Sequence, residues 1–494
     1  SAHNQFQTYL KKYADVSTFQ IKSTAEVTNL AQLKDFDIVI ISIHTDKITD
    51  SPALQKLANE KTTILVNFTS PYRLSAFQTS ALNASSLIVA YDNSEYAQMS
   101  AAQGIFGGIG MSGKLPVTSG TFKEGSGVST TKTRLSYSLP EEVGINSSKL
   151  ENIEHIALEG VRQRAYPGCQ ILVAKDGVII YEREFGNLNY GDSPDVTPET
   201  IYDVASITKA SATLPAIMKL YDEKEVALQD NIGKYVKATK GSDKENIRIR
   251  TLLLHESGLT SFIPYYTTAI DNNSYTGSLF GQRSQRYNAR YAGAWGRTDY
   301  RFHSNMISSK PSEIFYQPVA RGMYASDKMN EALLQDIINS PLSNRGKYRY
   351  SCLNFMLLKE AVEDISGLNI DTYLKINYFN KLGATTTTYL PLRYFSEEVI
   401  APTENDPFFR KQHLTGYVHD EGAALFGGMS GNAGLFSNAN DLAKLYQMWL
   451  NGGEYGGERY LSEETIKLFT TTKSSISRRG LGFDKPDPRN SRTN

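Results

Sequence analysis

Cysteine is almost missing from this chain: Cys169 and Cys352 are the two in 494 residues, and they lie far apart. Two such thiols draw neither a disulfide framework nor a Cys-rich zinc site. An excess of one charge is missing as well, because 52 Lys and Arg balance 52 Asp and Glu. Without a global basic field, neither nucleic acid nor an acidic membrane is expected as a partner. Long apolar runs are also lacking. The cleanest, Ile38-Val39-Ile40-Ile41-Ser42-Ile43, falls far short of the ~20 residues a membrane-spanning helix needs. The seven histidines are scattered, with no His-Glu-x-x-His and no close pair, so no metal is expected. The first residues, Ser1-Ala2-His3-Asn4-Gln5, show neither an initiator Met nor the charged-then-apolar layout of a secretory signal, which suggests a processed chain or an excised piece.

What is present is ample core material. With 40% apolar and 21% charged side chains, a chain of this length should hold two to four domains at about 100–200 residues each. From Asp37 to Val117 short apolar runs alternate with helical stretches: Asp37 to Ile43, Thr62 to Phe68, Ser86 to Tyr91, then the helical Tyr96 to Ile109. That grammar predicts an α/β domain with a parallel sheet, over residues 1–120. Residues 121–139 are rich in Gly, Ser and Thr and read as a linker. Residues 140–494 change character. A helix is predicted around Ser147 to Gln163, followed by a hairpin across Cys169 to Tyr181 with Asp176-Gly177 at the bend, where the turn needs positive φ. A second domain of α+β type, with antiparallel sheet, is therefore expected. Helical spacing runs from Ile207 to Tyr221, and Asp222 to Asn231 reads as a loop. Tyr265 to Tyr350 is dense in Tyr, Arg and Asn; such a stretch either covers or binds something, or is a solvated, partly ordered excursion.

The strongest chemical candidate is Ser206-Ile207-Thr208-Lys209 at the start of the predicted helix. Spacing of three on one helical turn brings a hydroxyl and an ammonium within reach of each other. A serine hydroxyl is a weak nucleophile until a neighbouring base takes its proton, and a helix N-terminus favours the anion that develops. Taken alone, Ser-x-x-Lys also describes a capping serine followed by a solvated lysine, and a chain of this size contains a few by chance. Its company is what distinguishes it: Leu254-His255-Glu256-Ser257-Gly258, Arg349-Tyr350-Ser351-Cys352-Leu353-Asn354, Tyr417-Val418-His419-Asp420-Glu421, and Gly427-Gly428-Met429-Ser430-Gly431-Asn432-Ala433-Gly434.

From about Tyr137 onward these motifs together resemble the serine β-lactamase and penicillin-binding-protein superfamily, in its class C, DD-peptidase and esterase branch. The resemblance implies a β-lactamase/DD-peptidase-like fold with a helical subdomain, and an acyl-enzyme mechanism on an amide or ester. Ser206 matches the family's nucleophile, Lys209 its partner and Tyr350 the tyrosine that carries the proton between serine and leaving group. A cation beside a phenol favours the phenolate, the form that accepts a proton. Relatives commonly have Asn two residues after the tyrosine, touching substrate; here Cys352 stands there and Asn354 follows two further on, so both are candidate substrate contacts. Asn432 lies where relatives often have His and is read as loop architecture. His255, His413 and His419 are read as structural. The family's third element, Lys-Thr-Gly or His-Thr-Gly, supplies an oxyanion donor and does not occur; His413-Leu414-Thr415-Gly416 has the wrong spacing. This suggests a missing C-terminal piece after the polar tail that ends at Asn494. Losing one such donor costs ~10²–10³ in turnover in other acyl transferases, so the fragment is expected to be weak or inactive.

In the first domain, Gly108-Ile109-Gly110-Met111-Ser112-Gly113 fits G-x-G-x-x-G, but a helix precedes it and Lys114-Leu115-Pro116-Val117 follows. A dinucleotide site needs a strand before and a helix after, so no nucleotide cofactor is expected. The same run, with Phe106-Gly107 ahead of it, resembles the C-terminal α/β domain of family 3 glycoside hydrolases, a flavodoxin-like sandwich, over about Gln5 to Lys123. That family's nucleophile lies on an upstream barrel absent here, so Asp37, Asp46 and Asp92 are not read as catalytic. The two resemblances together suggest a serine hydrolase from a bifunctional enzyme of the bacterial cell envelope or periplasm, degrading cell-wall glycan and acting on peptidoglycan-derived substrate. The alternative is a catalytically silent binding or scaffold module attached to a glycoside hydrolase.

Overall fold

A computed structural model describes residues 4–21, 33–191, 193–343 and 345–487. Residues 1–3 and 488–494, on which two of the expectations above rest in part, lie outside them. The chain divides into two compact units, Ser1–Gly144 with Ala174–Ile180, and Ile145–Val173 with Tyr181–Asn494.

In the first unit the three apolar runs become parallel strands β1 (Ile38–Ile43), β2 (Thr62–Asn67) and β3 (Ser86–Val89), in the order β1-β2-β3. Ile38 pairs with Thr62 and Ile64 with Ser86. The central strand carries the core: Leu65 and Val66 are fully buried on its opposite faces. This is what a near-continuous apolar run means in a sheet covered on both sides. The helix Gln5–Lys11 starts at a reciprocal cap, Asn4 with Gln7, and buries Phe6 and Leu10 against Val66, Phe68, Ala101 and Ala102. The helix Glu95–Phe106 starts at the Ser94 cap and ends at Gly107, whose φ of 75° suits glycine. The Gly108–Gly113 run therefore follows a helix, as expected.

The Gly/Ser/Thr segment, read above as a linker, is tied to the first unit by hydrogen bonds. Thr130 donates to the Met111 carbonyl, and Thr133 and Arg134 donate to that of Gly107. The Tyr13 hydroxyl donates to the Leu135 carbonyl at 2.7 Å, and Tyr137 exchanges two hydrogen bonds with the Gln103 amide. Composition described its lack of apolar groups correctly but could not show where its backbone groups find partners.

The hairpin forms as expected, with strands Gly168–Lys175 and Val178–Gly186 and the bend at Asp176 (φ 52°) and Gly177 (φ 76°). In the second unit, Tyr202–Asp203 pairs antiparallel with Leu435–Ser437, which pairs in turn with Thr388–Tyr389. After Ser206 the chain is helical. Lys209–Thr213 is a π-turn and Leu214–Asp222 an α-helix whose Leu214, Ala216, Ile217 and Met218 are fully buried. Pro215 brings no N–H and its ring crowds the preceding turn, which accounts for the widening just ahead of it. The Tyr-rich stretch is ordered. It contains the antiparallel sheets Phe280–Gly281/Ala294–Gly296/Ala289–Tyr291 and Ile307–Ser308/Met323–Ser326/Phe315–Ala320, then the helix Asp327–Asn339. Several of its aromatics form a core: Tyr266, Phe280, Tyr291 and Tyr300 surround Phe408 with ring centroids 4.7–5.7 Å away.

Candidate active site

Ser206 is presented by a strained turn. Asp203 ends its short strand, and its carboxylate accepts from the backbone N–H of Ala205 at 2.7 Å and of His419 at 2.6 Å. Ala205 is thereby held at φ 45°, a left-handed conformation unusual for alanine. Burial raises the Asp203 pKa, against the two backbone hydrogen bonds that favour its charge. The turn leaves Ser206 exposed, while the following helix carries Lys209 inward to 5% exposure.

Lys209 Nζ donates to Ser206 Oγ at 2.9 Å and to the Asn432 carbonyl at 2.9 Å. The Asn432 carbonyl is held there by the chain on either side. Thr213 donates to the Gly431 carbonyl, Leu435 N–H donates to the Thr208 hydroxyl, and Ser430 donates to the Asn432 side chain. Gly431 is required by contact: a Cβ there would stand 1.9 Å from the Phe355 carbonyl oxygen.

Tyr350 arrives from the other side, just before Ser351, which caps the helix Cys352–Ser366. Its hydroxyl lies 3.4 Å from Ser206 Oγ, and its ring centroid lies 5.4 Å from Lys209 Nζ. The structure thus brings together Ser206, Lys209 and Tyr350. It does not bring Asn354 to their surface, which corrects the reading of Asn354 as a substrate contact. Asn354 is fully buried, its Oδ1 accepting from Ser257 at 2.6 Å and its Nδ2 facing His255 Nδ1 at 2.9 Å. Its place on the inward face of the helix fixes that role. Cys352, half-buried, lines the adjoining cavity.

His255 is structural in a way that its sequence neighbours did not reveal. Its ring stacks on Tyr350 at 4.6 Å, and its Nδ1 accepts from the Ser351 N–H at 3.1 Å. Nδ1 being an acceptor, the proton sits on Nε2, which is buried and has no hydrogen-bond partner among the described residues. Burial, with the charges of Arg479 and Lys209, pushes its pKa down to about 3. The unfolded chain takes up a proton near the ordinary value of 6.5 and the folded one does not. His255 therefore draws stability from the fold as pH falls from 6.5 towards 3, by about 1.4 kcal/mol for each unit crossed. His255→Asn keeps an acceptor and tolerates the local φ of 57°. In urea titrations at several pH values this variant should lose less stability in acid than the parent. Equal acid sensitivity in both would contradict the assignment. His413 is exposed beside Asn189, and His419 lies 3.6 Å from Glu404.

A cavity of about 440 Å³ adjoins the triad through Cys352 and Asn432. The Tyr-rich segment and its flank wall it with Tyr265 and Tyr291, and Tyr291 donates to Glu421 at 2.8 Å. Among the described residues no group of His, Cys, Asp and Glu gathers to hold a metal, and no helix is long and apolar enough to cross a membrane.

Comparison with known proteins matches residues 153–486 to the beta-lactamase family. A protein of Escherichia coli O157:H7 described as "Putative D-alanyl-D-alanine carboxypeptidase" is 32% identical over 373 residues, 71% of this chain and 75% of its own. Its counterpart in E. coli K12 is 31% identical with the same coverage. Among solved structures, the octameric penicillin-binding protein homologue from Pyrococcus abyssi is similar at 22% identity with a TM-score of 0.46, over 68% of this chain and 64% of that one. The family match spans two thirds of the sequence and contains Ser206, Lys209 and Tyr350: the chain belongs to the beta-lactamase family of serine hydrolases.

Proposed function

We propose that the second unit forms an acyl-enzyme on Ser206 and hydrolyses an amide or ester. The observation that carries this reading is the approach of Lys209 Nζ (2.9 Å) and Tyr350 OH (3.4 Å) to one exposed Ser206 Oγ. In acylation the Oγ–H proton passes to the Lys209–Tyr350 pair as Oγ bonds to the carbonyl carbon. The carbon–nitrogen or carbon–oxygen bond then breaks, and the leaving group takes that proton. Water then gives a proton to the same pair as it attacks the acyl carbon, the bond to Oγ breaks, and the pair returns that proton to Ser206 Oγ. Relatives described as D-alanyl-D-alanine carboxypeptidases support a peptide ending in D-alanyl-D-alanine as the substrate class, and hence a peptidoglycan fragment and a place at the cell envelope. For the first unit, the three parallel strands and the Gly107–Val117 sequence support a domain like the C-terminal one of family 3 glycoside hydrolases, and with it a bifunctional, glycan-degrading parent.

The test exposes the full chain to a fluorescent penicillin and, separately, to a D-alanyl-D-alanine peptide. Label on Ser206, absent in Ser206→Ala, and slow release of D-alanine are expected. A chain that takes no label and releases no D-alanine would be the silent scaffold instead.

A further inference from the structure

The Tyr- and Arg-rich stretch has two faces, and core packing accounts for the inner one alone. In the sheet Phe280–Gly281/Ala294–Gly296/Ala289–Tyr291, Phe280 and Gly296 pair directly and so point the same way. With Tyr291 they close on Phe408, and a Cβ at Gly296 would stand 2.5 Å from that ring. Trp295 takes the opposite face, directly across from Arg290 on one side and Gly281 on the other. Arg283 lies over its indole at 4.8 Å. A Cβ at Gly281 would stand 2.7 Å from the Tyr287 ring, so that ring fills the place beside Trp295. The outer face thus sets two partly exposed aromatic rings beside two exposed guanidiniums.

In a chain whose charges balance, this face has an excess of one sign. From Gly281 to Arg297 there are four arginines and no acidic residue. Arg297 is buried and engages Asp299 through two hydrogen bonds, and Arg286 shares the field of that carboxylate. Arg283 and Arg290 have no ion pair and no side-chain hydrogen bond among the described residues. Arg290 also reaches the rim of the cavity beside Ser206, where the carboxyl groups are engaged elsewhere: Arg410 holds Glu404 and Asp406, Asp420 caps the turn after it, and Glu421 accepts from Tyr291. A guanidinium stacked on an indole keeps its N–H edge free, so it takes a carboxylate edge-on with little further loss of side-chain freedom. Around it Gln282, Ser284, Gln285 and Asn288 are exposed amides and a hydroxyl, which hydrogen-bond sugar hydroxyls and offer nothing to acyl chains. Charge complementarity and continuity with the cavity rim therefore converge on one partner.

We propose that this outer face docks the carboxylate-bearing glycan strand from which a peptide held at Ser206 branches, with sugar rings against Trp295 and Tyr287 and carboxylates on Arg283 and Arg290. The inference rests on the proposed function for the peptide's place at Ser206, while docking of the strand is a binding event that needs no acylation.

The test measures binding by calorimetry, on the full chain carrying Ser206→Ala, with two probes of equal length. One is a peptide-free strand of alternating N-acetylglucosamine and N-acetylmuramic acid, whose lactyl carboxylates are free; the other is the uncharged N-acetylglucosamine oligomer. The acidic strand should bind at least ~10-fold more tightly at low ionic strength, and high salt should shrink the difference. Arg283→Gln together with Arg290→Gln should bring it within about twofold of the neutral oligomer, and Trp295→Ala should weaken both probes by about tenfold. Equal affinity of the two probes for the parent, or binding of neither, overturns the docking surface and needs no variant to be folded. Discrimination that survives the double arginine substitution takes the carboxylates away from these two residues, and unchanged affinities in Trp295→Ala defeat the stacking. Capture of phosphatidylglycerol vesicles without binding of the strand would make the face a membrane contact and sink the proposal. Absence of the penicillin label in the chain that keeps Ser206 would remove the acyl-enzyme reading and leave the binding result standing.

Discussion

Lys209→Met should lower the rate of Ser206 acylation by about 10³–10⁴-fold, the scale of removing a positioned proton acceptor from a nucleophile that depends on it. Lys209 Nζ makes two hydrogen bonds, to Ser206 Oγ and to the Asn432 carbonyl, from a site 5% exposed. Methionine fills nearly the same volume, so the surrounding packing has no cavity to relax into. The Asn432 carbonyl does lose its donor. One such loss costs about 1–3 kcal/mol, a moderate fall in melting temperature that calorimetry can separate from the kinetic effect. Stopped-flow labelling with fluorescent penicillin reads the rate directly. A folded Lys209→Met protein acylated within tenfold of the parent would remove Lys209 from the chemistry and leave it a structural cation.

The contrast between Lys209 and Asn354 explains which parts of the site were legible in the chain. Ser206 and Lys209 are three residues apart on one helical turn, so local geometry alone carries their meeting. Tyr350 is legible only through the company of other motifs, because nothing in its own neighbourhood says that it folds back onto Ser206. Asn354 shows the limit. Four residues after Tyr350 it lies on the helix face turned to the core, and a helix phase set by tertiary packing decides whether a polar residue meets substrate or Ser257. Asp203, which orders the Ala205 turn, is an ordinary strand-end acid in sequence, and the left-handed alanine beside it has no compositional signature. Glu421 likewise stands next to Asp420 with nothing to say that one caps a turn and the other faces a cavity. In the fold, strands β1–β3 and the hairpin could be read from apolar runs and Asp-Gly chemistry, whereas the ordering of the Tyr-rich stretch could not. Its aromatics pack on Phe408, more than a hundred residues downstream of Phe280 and Tyr291, and long-range burial leaves no periodic trace in either partner.

Tyr350→Phe should reduce acylation by about 10²–10³-fold, less than Lys209→Met, because the hydroxyl stands 3.4 Å from Ser206 Oγ and Lys209 Nζ is closer. The ring itself would stay, since phenylalanine keeps the stack on His255 at 4.6 Å. The loss should fall on kcat for a D-alanyl-D-alanine peptide, with KM within about threefold, as for a group that acts on the reacting atoms and binds little in the ground state. A folded Tyr350→Phe enzyme with unchanged kcat would leave Lys209 as the sole proton acceptor. His255→Asn provides the complementary readout. It withdraws the ring beneath Tyr350 but no group that exchanges a proton above about pH 4, because the His255 pKa lies near 3. That variant should lower the plateau of the pH–rate profile by about tenfold through a less well-held tyrosine while leaving its midpoints in place. A shifted midpoint would instead make His255 a titrating member of the site, at odds with the burial and the Arg479 and Lys209 charges that hold it neutral.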